Sequence, residues 1–211
     1  MSIKPTINFV EGNIGSGKTT ICRIIEKRAA ELGRTDIVVI YEPVDLWREM
    51  GLLDAFYKDM PRWGYTFQNT AFITKIMALN RLDPRKIYVV ERSPYTDMEC
   101  FAKLCHSAGN INDMEWKIYK LWYDHFINKL EEDNNINFVY LKTSPQICHE
   151  RIHKRNRGEE SGIPIEYLKS LDTLHNEWLS SKANILNGDV EFETDDYNSH
   201  LHWIFNNDTK L

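Results

Sequence analysis

Ile7-Asn8-Phe9-Val10-Glu11-Gly12-Asn13-Ile14-Gly15-Ser16-Gly17-Lys18-Thr19-Thr20 is the stretch that decides the fold. Ile7 to Val10 is a short, mostly apolar run that stops at a glycine-rich loop, and it reads as a buried first strand. Gly12 to Thr19 fits G-x-x-x-x-G-K-[ST] without a mismatch. After the loop, Ile21, Ile24, Ile25, Arg28, Ala29 and Leu32 fall at helical spacing, and Gly33 closes the helix. Glycines let the backbone turn tightly enough for successive N–H groups to point at phosphate oxygens. The helix that follows adds its positive end. Lys18 neutralises phosphate charge, and the Thr19 hydroxyl is a magnesium ligand type. A chance glycine-rich turn would not bring a strand before the loop and an amphipathic helix after it. The stretch therefore implies a site for the phosphates of a nucleoside triphosphate.

Working outward, apolar runs alternate with helical periodicity. Strands are expected at Ile37 to Tyr41, Ile87 to Val90, Ile136 to Leu141 and Val190 to Glu193. Helices are expected at Leu46 to Tyr57, Tyr65 to Leu79, Asp97 to His106, Asp113 to Glu131, Pro145 to Arg155 and Pro164 to Ser181. Continuous apolar strands between helices imply an α/β fold with a parallel five-stranded sheet covered on both faces, in one domain over residues 1–211. Ligands in such sheets bind beyond the carboxyl ends of the strands. Three places then matter: the loop itself, Glu42 after the second strand, and Glu91-Arg92-Ser93 after the third.

Bulk properties narrow the function class. The chain has 211 residues, 42% apolar and 27% charged, with a formal net charge of −5. That is a foldable globular composition, and a mildly acidic chain is poorly suited to tracking a nucleic-acid backbone. No apolar run approaches the length of a membrane span, and no secretory leader is visible, so a cytoplasmic protein without membrane or nucleic-acid partners is expected. Cys22, Cys100, Cys105 and Cys148 form no CxxC pair and read as reduced thiols. Cys100, Cys105 and His106 lack a second ligand cluster that would make a zinc site.

Glu42, in Tyr41-Glu42-Pro43-Val44, is either a solvated loop carboxylate or a general base for an attacking hydroxyl. Glu91 stands where a carboxylate can hold magnesium, and Arg92 can orient a base or stabilise the moving phosphoryl group. The bland alternative for that pair is a surface ion pair of little energetic worth.

Glu11 to Thr20, Glu42-Pro43-Val44 with Trp47, Phe67-Gln68, Glu91-Arg92-Ser93 and Arg151 through Glu160 occur in an order and spacing that resemble the deoxyribonucleoside kinases, the group containing deoxycytidine kinase, deoxyguanosine kinase and mitochondrial thymidine kinase. The likeness runs from about Ile7 to Leu179 and is weaker beyond. It implies phosphoryl transfer from ATP or another triphosphate to the 5′-hydroxyl of a deoxynucleoside, with Mg²⁺, in a homodimer built from helices. By the same resemblance Gly12, Asn13, Ile14, Gly15, Ser16, Gly17, Lys18, Thr19 and Thr20 hold the donor. Glu42 is the base, Arg92 its partner, and Thr19 and Glu91 the metal positions. Tyr57 and Glu160 hold the sugar 3′-hydroxyl, and Gln68 pairs with the nucleobase. Trp47, Phe67 and Phe101 wall the base, although core packing would explain those aromatics without the resemblance.

Arg151, Arg155 and Arg157 resemble a short arginine-rich lid over about residues 151–163, where a solvated basic helix face is the alternative. Asp195-Asp196-Tyr197 resembles loosely the loop that contacts the donor's base. Lys75 and Asp97 stand where relatives accepting deoxycytidine and deoxypurines carry an arginine and an aspartate. A carboxylate there accepts from an exocyclic amino group and repels the thymine carbonyl, so deoxycytidine or a deoxypurine is expected over thymidine. Lysine keeps the charge but loses the planar fork. A thymidine-accepting or broad-specificity member of the same group is the alternative within the resemblance, and intact Lys18, Thr19, Glu42 and Arg92 disfavour a non-catalytic binding module. Two rival enzyme classes remain at this level. A nucleoside monophosphate kinase shares the loop and lid but has less use for a base such as Glu42. A P-loop ATPase acting on polynucleotides fits the acidic charge poorly.

Overall fold

The computed structural model describes residues 3–190 and residue 204. Strand β1 (Thr6–Glu11) leads through the loop into α1 (Lys18–Glu31), then β2 (Ile37–Ile40), α2 (Val44–Glu49), α3 (Leu52–Lys58) and α4 (Met60–Ala78). Strand β3 (Ile87–Glu91) is followed by α5 (Pro94–Thr96), a π-helical turn (Asp97–Ala102) and α6 (Lys103–Ser107). Then come α7 (Asp113–Asp133), β4 (Asn135–Lys142), α8 (Pro145–Arg155), a 3₁₀ turn (Gly158–Glu160), α9 (Ile165–Leu179) and β5 (Asn184–Asn187).

The sheet is five-stranded and all parallel, in the order β2-β3-β1-β4-β5. The central position of β1 follows from its sequence, since Ile7, Phe9 and Val10 have no exposed surface and suit a strand covered on both faces. Successive side chains alternate faces. Ile7, Phe9, Tyr88, Val90 and Tyr140 join Phe72, Tyr119 and Leu168 in one core. Val10, Val89, Val139 and Leu141 meet Ile21, Cys22 and Ile25 of α1 in the other. Each buried isoleucine of α1 contributes roughly 1.5–3 kcal/mol against leaving it in water. This is the P-loop NTPase-type α/β fold.

Several expected elements differ. The single helix over Leu46 to Tyr57 is two, because Gly51 adopts φ 67° and breaks the run between α2 and α3. Helix α4 starts at Met60 rather than Tyr65, since Asp59 caps Arg62 N at 3.1 Å and Pro61 fits the first turn of a helix. The helix expected from Asp97 opens as a π-helical turn, and α5, capped by Ser93 with Pro94 at its start, precedes it. The fifth strand is Asn184–Asn187, whereas Val190 lies in a bend outside any strand and Glu191 to Glu193 fall outside the described residues. In β5 only Leu186 is buried, so this edge strand lacks the apolar run that marks the others. Glu91 ends β3 instead of following it.

Candidate active site

The segments that follow β1, β2 and β3, together with the end of α8 and the 3₁₀ turn, line one cavity of about 610 Å³. The phosphate loop forms its floor. Gly17, at φ 102°, caps α1 without a side chain, which leaves the first-turn N–H groups to an anion. Glycine is required at Gly12 and Gly15. A Cβ on Gly12 (φ 148°) would come within 2.7 Å of Leu141 O, and one on Gly15 (φ 78°) within 2.5 Å of Cys148 O. The loop is also tied from outside. Asn13 Nδ2 donates to Leu168 O at 2.8 Å and Thr143 Oγ1 to Ser16 O at 3.1 Å.

Lys18 is buried and donates from Nζ to Gly12 O (3.0 Å) and Asn13 O (2.7 Å). Burial, and then the charge of Arg92, bring its ammonium down to about 7. Thr19 Oγ1 hydrogen-bonds Glu91 Oε1 across the loop mouth. Two hard oxygens thus face each other beside the phosphate loop, a donor set that suits magnesium.

Glu42 and Arg92 stand together at the middle of the cavity. Arg92 Nη1 is 3.3 Å from Glu42 Oε1, and Arg92 Nη2 donates to Gly12 O at 3.1 Å. Arg92 adopts φ 59°, a left-handed conformation that costs a non-glycine residue energy and clusters at functional sites. Burial disfavours the Glu42 carboxylate, but the charges of Arg92, Lys75 and Lys18 outweigh it and hold the carboxyl down at about 2. Glu42 is therefore not the solvated loop residue of the bland reading; its side chain is only 8% exposed.

Beyond Glu42 lies an aromatic slot. Trp47 meets Phe67 edge-on at 5.5 Å and donates from Nε1 to Thr74 Oγ1 at 3.1 Å. Phe101 lies under Arg92, with the guanidinium carbon 4.8 Å from its ring centre. Gln68 is buried at the back of the slot, its Nε2 4.0 Å from Cys105 Sγ. Lys75 Nζ lies 2.7 Å from Asp97 Oδ1 and 3.2 Å from Glu42 Oε1. Tyr57 is partly buried and packs against the core, and the desolvation of its hydroxyl followed by the charge of Glu160 pushes its pKa up.

The arginine-rich segment divides into two parts. Arg151 Nη1 donates to Ser16 O (3.2 Å) and Gly188 O (2.8 Å), and Nη2 to Val190 O (2.9 Å), so it braces the loop while still lining the cavity. Arg155 and Arg157 both hold the buried Glu160, the latter at 2.8 Å. Glu159 reaches Arg48 of α2 at 2.8 Å, which ties the segment across the cavity. The cavity thus gathers Glu42, Trp47, Tyr57, Phe67 and Gln68 with Asp97 and the loop, while Lys75 stands behind Glu42 and Asp97 without lining it. Asp195, Asp196 and Tyr197 lie outside the described residues.

The sequence reading gave no role to Glu11 or Phe56. Glu11 is fully buried; its Oε1 accepts from Ser93 N at 3.0 Å and its Oε2 from the Thr96 hydroxyl, so it fixes the turn that carries Arg92. A carboxylate at the end of a buried strand was the available signal. Phe56 stacks on Phe67 at 4.6 Å and completes the slot wall.

The chain is similar to known proteins along most of its length. The deoxynucleoside kinase family profile matches residues 9–207. The chain is 38% identical to the probable deoxycytidine kinase of fowlpox virus (strain NVSL) over 198 residues, covering 88% of this chain and 80% of that protein. It is 35% identical to deoxycytidine kinase 2 of Gallus gallus, covering 82% and 74%, and 32% identical to the mitochondrial thymidine kinase 2 of Homo sapiens, covering 83% and 65%. Phosphate loop, buried carboxylate–arginine pair and aromatic slot in one cavity, together with these matches, identify the chain as an enzyme belonging to the deoxynucleoside kinase family.

Proposed function

We propose that the protein transfers the γ-phosphoryl group of ATP to the 5′-hydroxyl of a deoxynucleoside. The observation that carries this reading is Glu42, whose side chain is largely covered between the phosphate loop and a flat aromatic slot. An acceptor hydroxyl needs such a group, whereas an acceptor phosphate would meet repulsion there.

Donor phosphates lie on the N–H groups of Gly12 to Thr20, with Lys18 on the transferring group. The deoxynucleoside enters with its base between Trp47, Phe67 and Phe101 and its edge on Gln68, whose amide offers one donor and one acceptor. Tyr57 and Glu160 hold the 3′-hydroxyl. The 5′-oxygen attacks the γ-phosphorus while the bond to the nucleoside diphosphate oxygen breaks, and the hydroxyl proton passes to Glu42. Arg92 keeps Glu42 aimed and faces the charge developing on the transferring group. Thr19 and Glu91 are the residues that would hold Mg²⁺, which supplies charge neutralisation across the phosphates. Arg155 and Arg157 belong to a lid over about residues 151–163 that excludes water, and Arg151 fastens that lid's helix to the loop. Residues 1–211 act as one domain.

Asp97 favours bases bearing an amino group, so deoxycytidine or a deoxypurine is preferred over thymidine. Relatives with either kind of name match the chain, and Asp97 is the feature that supports the choice. Helix α7 exposes Met114, Ile118, Leu121 and Trp122 along one stripe, which suits the face of a homodimer. Four buried, unpaired cysteines suit the reducing cytoplasm. The test is an ATP-dependent assay of four deoxynucleosides and their monophosphates. Turnover of deoxynucleosides alone supports the proposal; turnover of monophosphates alone refutes it.

A further inference from the structure

Asp97 opens the π-helical turn and lines the slot, and its two carboxylate oxygens are not equivalent. Oδ1 takes the Lys75 ammonium at 2.7 Å, while Oδ2 is buried with no hydrogen-bond partner. The same ammonium is 3.2 Å from Glu42 Oε1, so one cation serves two carboxylates. A guanidinium would offer a second planar donor to Oδ2; lysine has none to give in that geometry. A buried carboxylate oxygen without a donor is unfavourable. It is relieved in one of two ways: it accepts a hydrogen bond from a bound base, or it takes a proton and becomes a donor.

The two forms read opposite base edges. The ionised carboxylate accepts from an exocyclic amino group. The protonated acid donates from Oδ2 to an exocyclic carbonyl. We propose that the base preference at Asp97 is switched by the proton on its carboxyl, governed by the cation that Lys75 divides between Asp97 and Glu42: amino-bearing bases are selected when the proton is absent and carbonyl-bearing bases when it is present. The proposal rests on the deoxynucleoside kinase reading.

The charged and titratable surroundings of Asp97 fit such a role. Lys75 comes from α4, Glu42 from the loop after β2, Arg92 from the turn after β3, and Tyr119 and Tyr123 from α7. Burial is the largest influence and raises the Asp97 carboxyl; the charge and hydrogen bond of Lys75 oppose it, Glu42 adds to it, and Arg92 opposes it, leaving it at about 6. Both tyrosine hydroxyls are pushed up by burial and stay neutral in this range. The sign follows: below about 6 the acid form dominates and reads a carbonyl; above it the carboxylate reads an amino group.

The experiment is the ratio of kcat/KM for deoxycytidine to that for thymidine, measured with saturating ATP from about pH 5.5 to about pH 8.5. A ratio cancels whatever titrates alike for both substrates, Lys18 and the donor phosphates included. The expected ratio climbs by about tenfold or more across that range, with its inflection near the Asp97 value. In Asp97→Asn the ratio is flat. In Lys75→Arg the inflection moves to lower pH, because the added fork reaches Oδ2 and holds the ionised form; this variant carries the test should Asp97→Asn fold poorly. A flat wild-type ratio, the same climb in Asp97→Asn, or an unmoved inflection in Lys75→Arg overturns the proposal while leaving the kinase reading intact. No turnover of either nucleoside at any pH overturns both.

Discussion

Arg92 Nη1 stands 3.3 Å from Glu42 Oε1, and the backbone of Arg92 sits at φ 59° to put it there. Both side chains are largely covered, and the pair is braced by Glu11 through Ser93 N and anchored to the phosphate loop through Gly12 O. A carboxyl held at about 2 is a weak base. That suits phosphoryl transfer, where the loose transition state needs the hydroxyl oriented more than deprotonated early. Glu42 is consequently ionised throughout the neutral range and adds no acidic limb near pH 6.

Replacing Glu42 with Gln should lower kcat by roughly 10²–10⁴-fold, the ordinary worth of a positioned base. The KM for ATP should change little, since the proposed donor site is the phosphate loop. Steady-state kinetics with both substrates varied, alongside circular dichroism to verify folding, checks this. Undiminished kcat would remove Glu42 from the reaction.

Lys18 gives a proton-linkage prediction. Its ammonium is brought to about 7 by burial and by Arg92, below its ordinary range. A bound triphosphate restores the charged form, so donor binding near pH 8 should take up a proton. Calorimetry in buffers of different ionisation enthalpy measures it, and Lys18→Met should abolish the uptake. The stability sign follows too. The unfolded chain holds this proton up to about pH 10.4 and the folded chain loses it first, so between about pH 7 and that value this group's contribution to stability rises with pH. Thermal midpoints of wild type and Lys18→Met should approach one another or cross as the pH increases.

Gly15→Ala should cost both stability and donor affinity. The new Cβ would approach Cys148 O to 2.5 Å at a backbone φ of 78°. The neighbour is backbone of α8 and cannot swing aside, so a loss of roughly 1–3 kcal/mol is expected. Urea denaturation measures the first effect and titration with ATP the second.

The fold was legible wherever burial leaves a strong pattern. Strands β1 to β4 are apolar runs, and α1 keeps its spacing, because each must face a core. The errors came where local chemistry overrides periodicity: Gly51 splitting a helix, Asp59 and Pro61 starting one early, and β5 holding its edge position with Leu186 alone buried. Phosphate-loop residues were readable because the chemistry needs those types in sequence. Glu42, Arg92 and Asp97 were identifiable by position and resemblance, but not the sharing of Lys75 between two carboxylates. That contact joins α4, the β2 end and the π-helical turn, and no spacing along the chain encodes it. Glu11 was overlooked for a similar reason, since its partners Ser93 and Thr96 are distant in sequence.

Glu160 gives the last test, because its two arginines make its role separable from packing. Arg157 holds it at 2.8 Å, Arg155 contacts it from α8, and it lies buried close to Tyr57, where the proposed function places the sugar. A charged hydrogen bond to the 3′-hydroxyl is worth about 1.5–3 kcal/mol. Glu160→Gln should therefore raise KM for a deoxynucleoside by about tenfold or more. A 2′,3′-dideoxynucleoside has no hydroxyl for that bond, so its KM should be nearly unmoved by the substitution. If both substrates weaken alike, Glu160 acts by holding Arg155 and Arg157 in the lid, and the sugar contact must be assigned elsewhere.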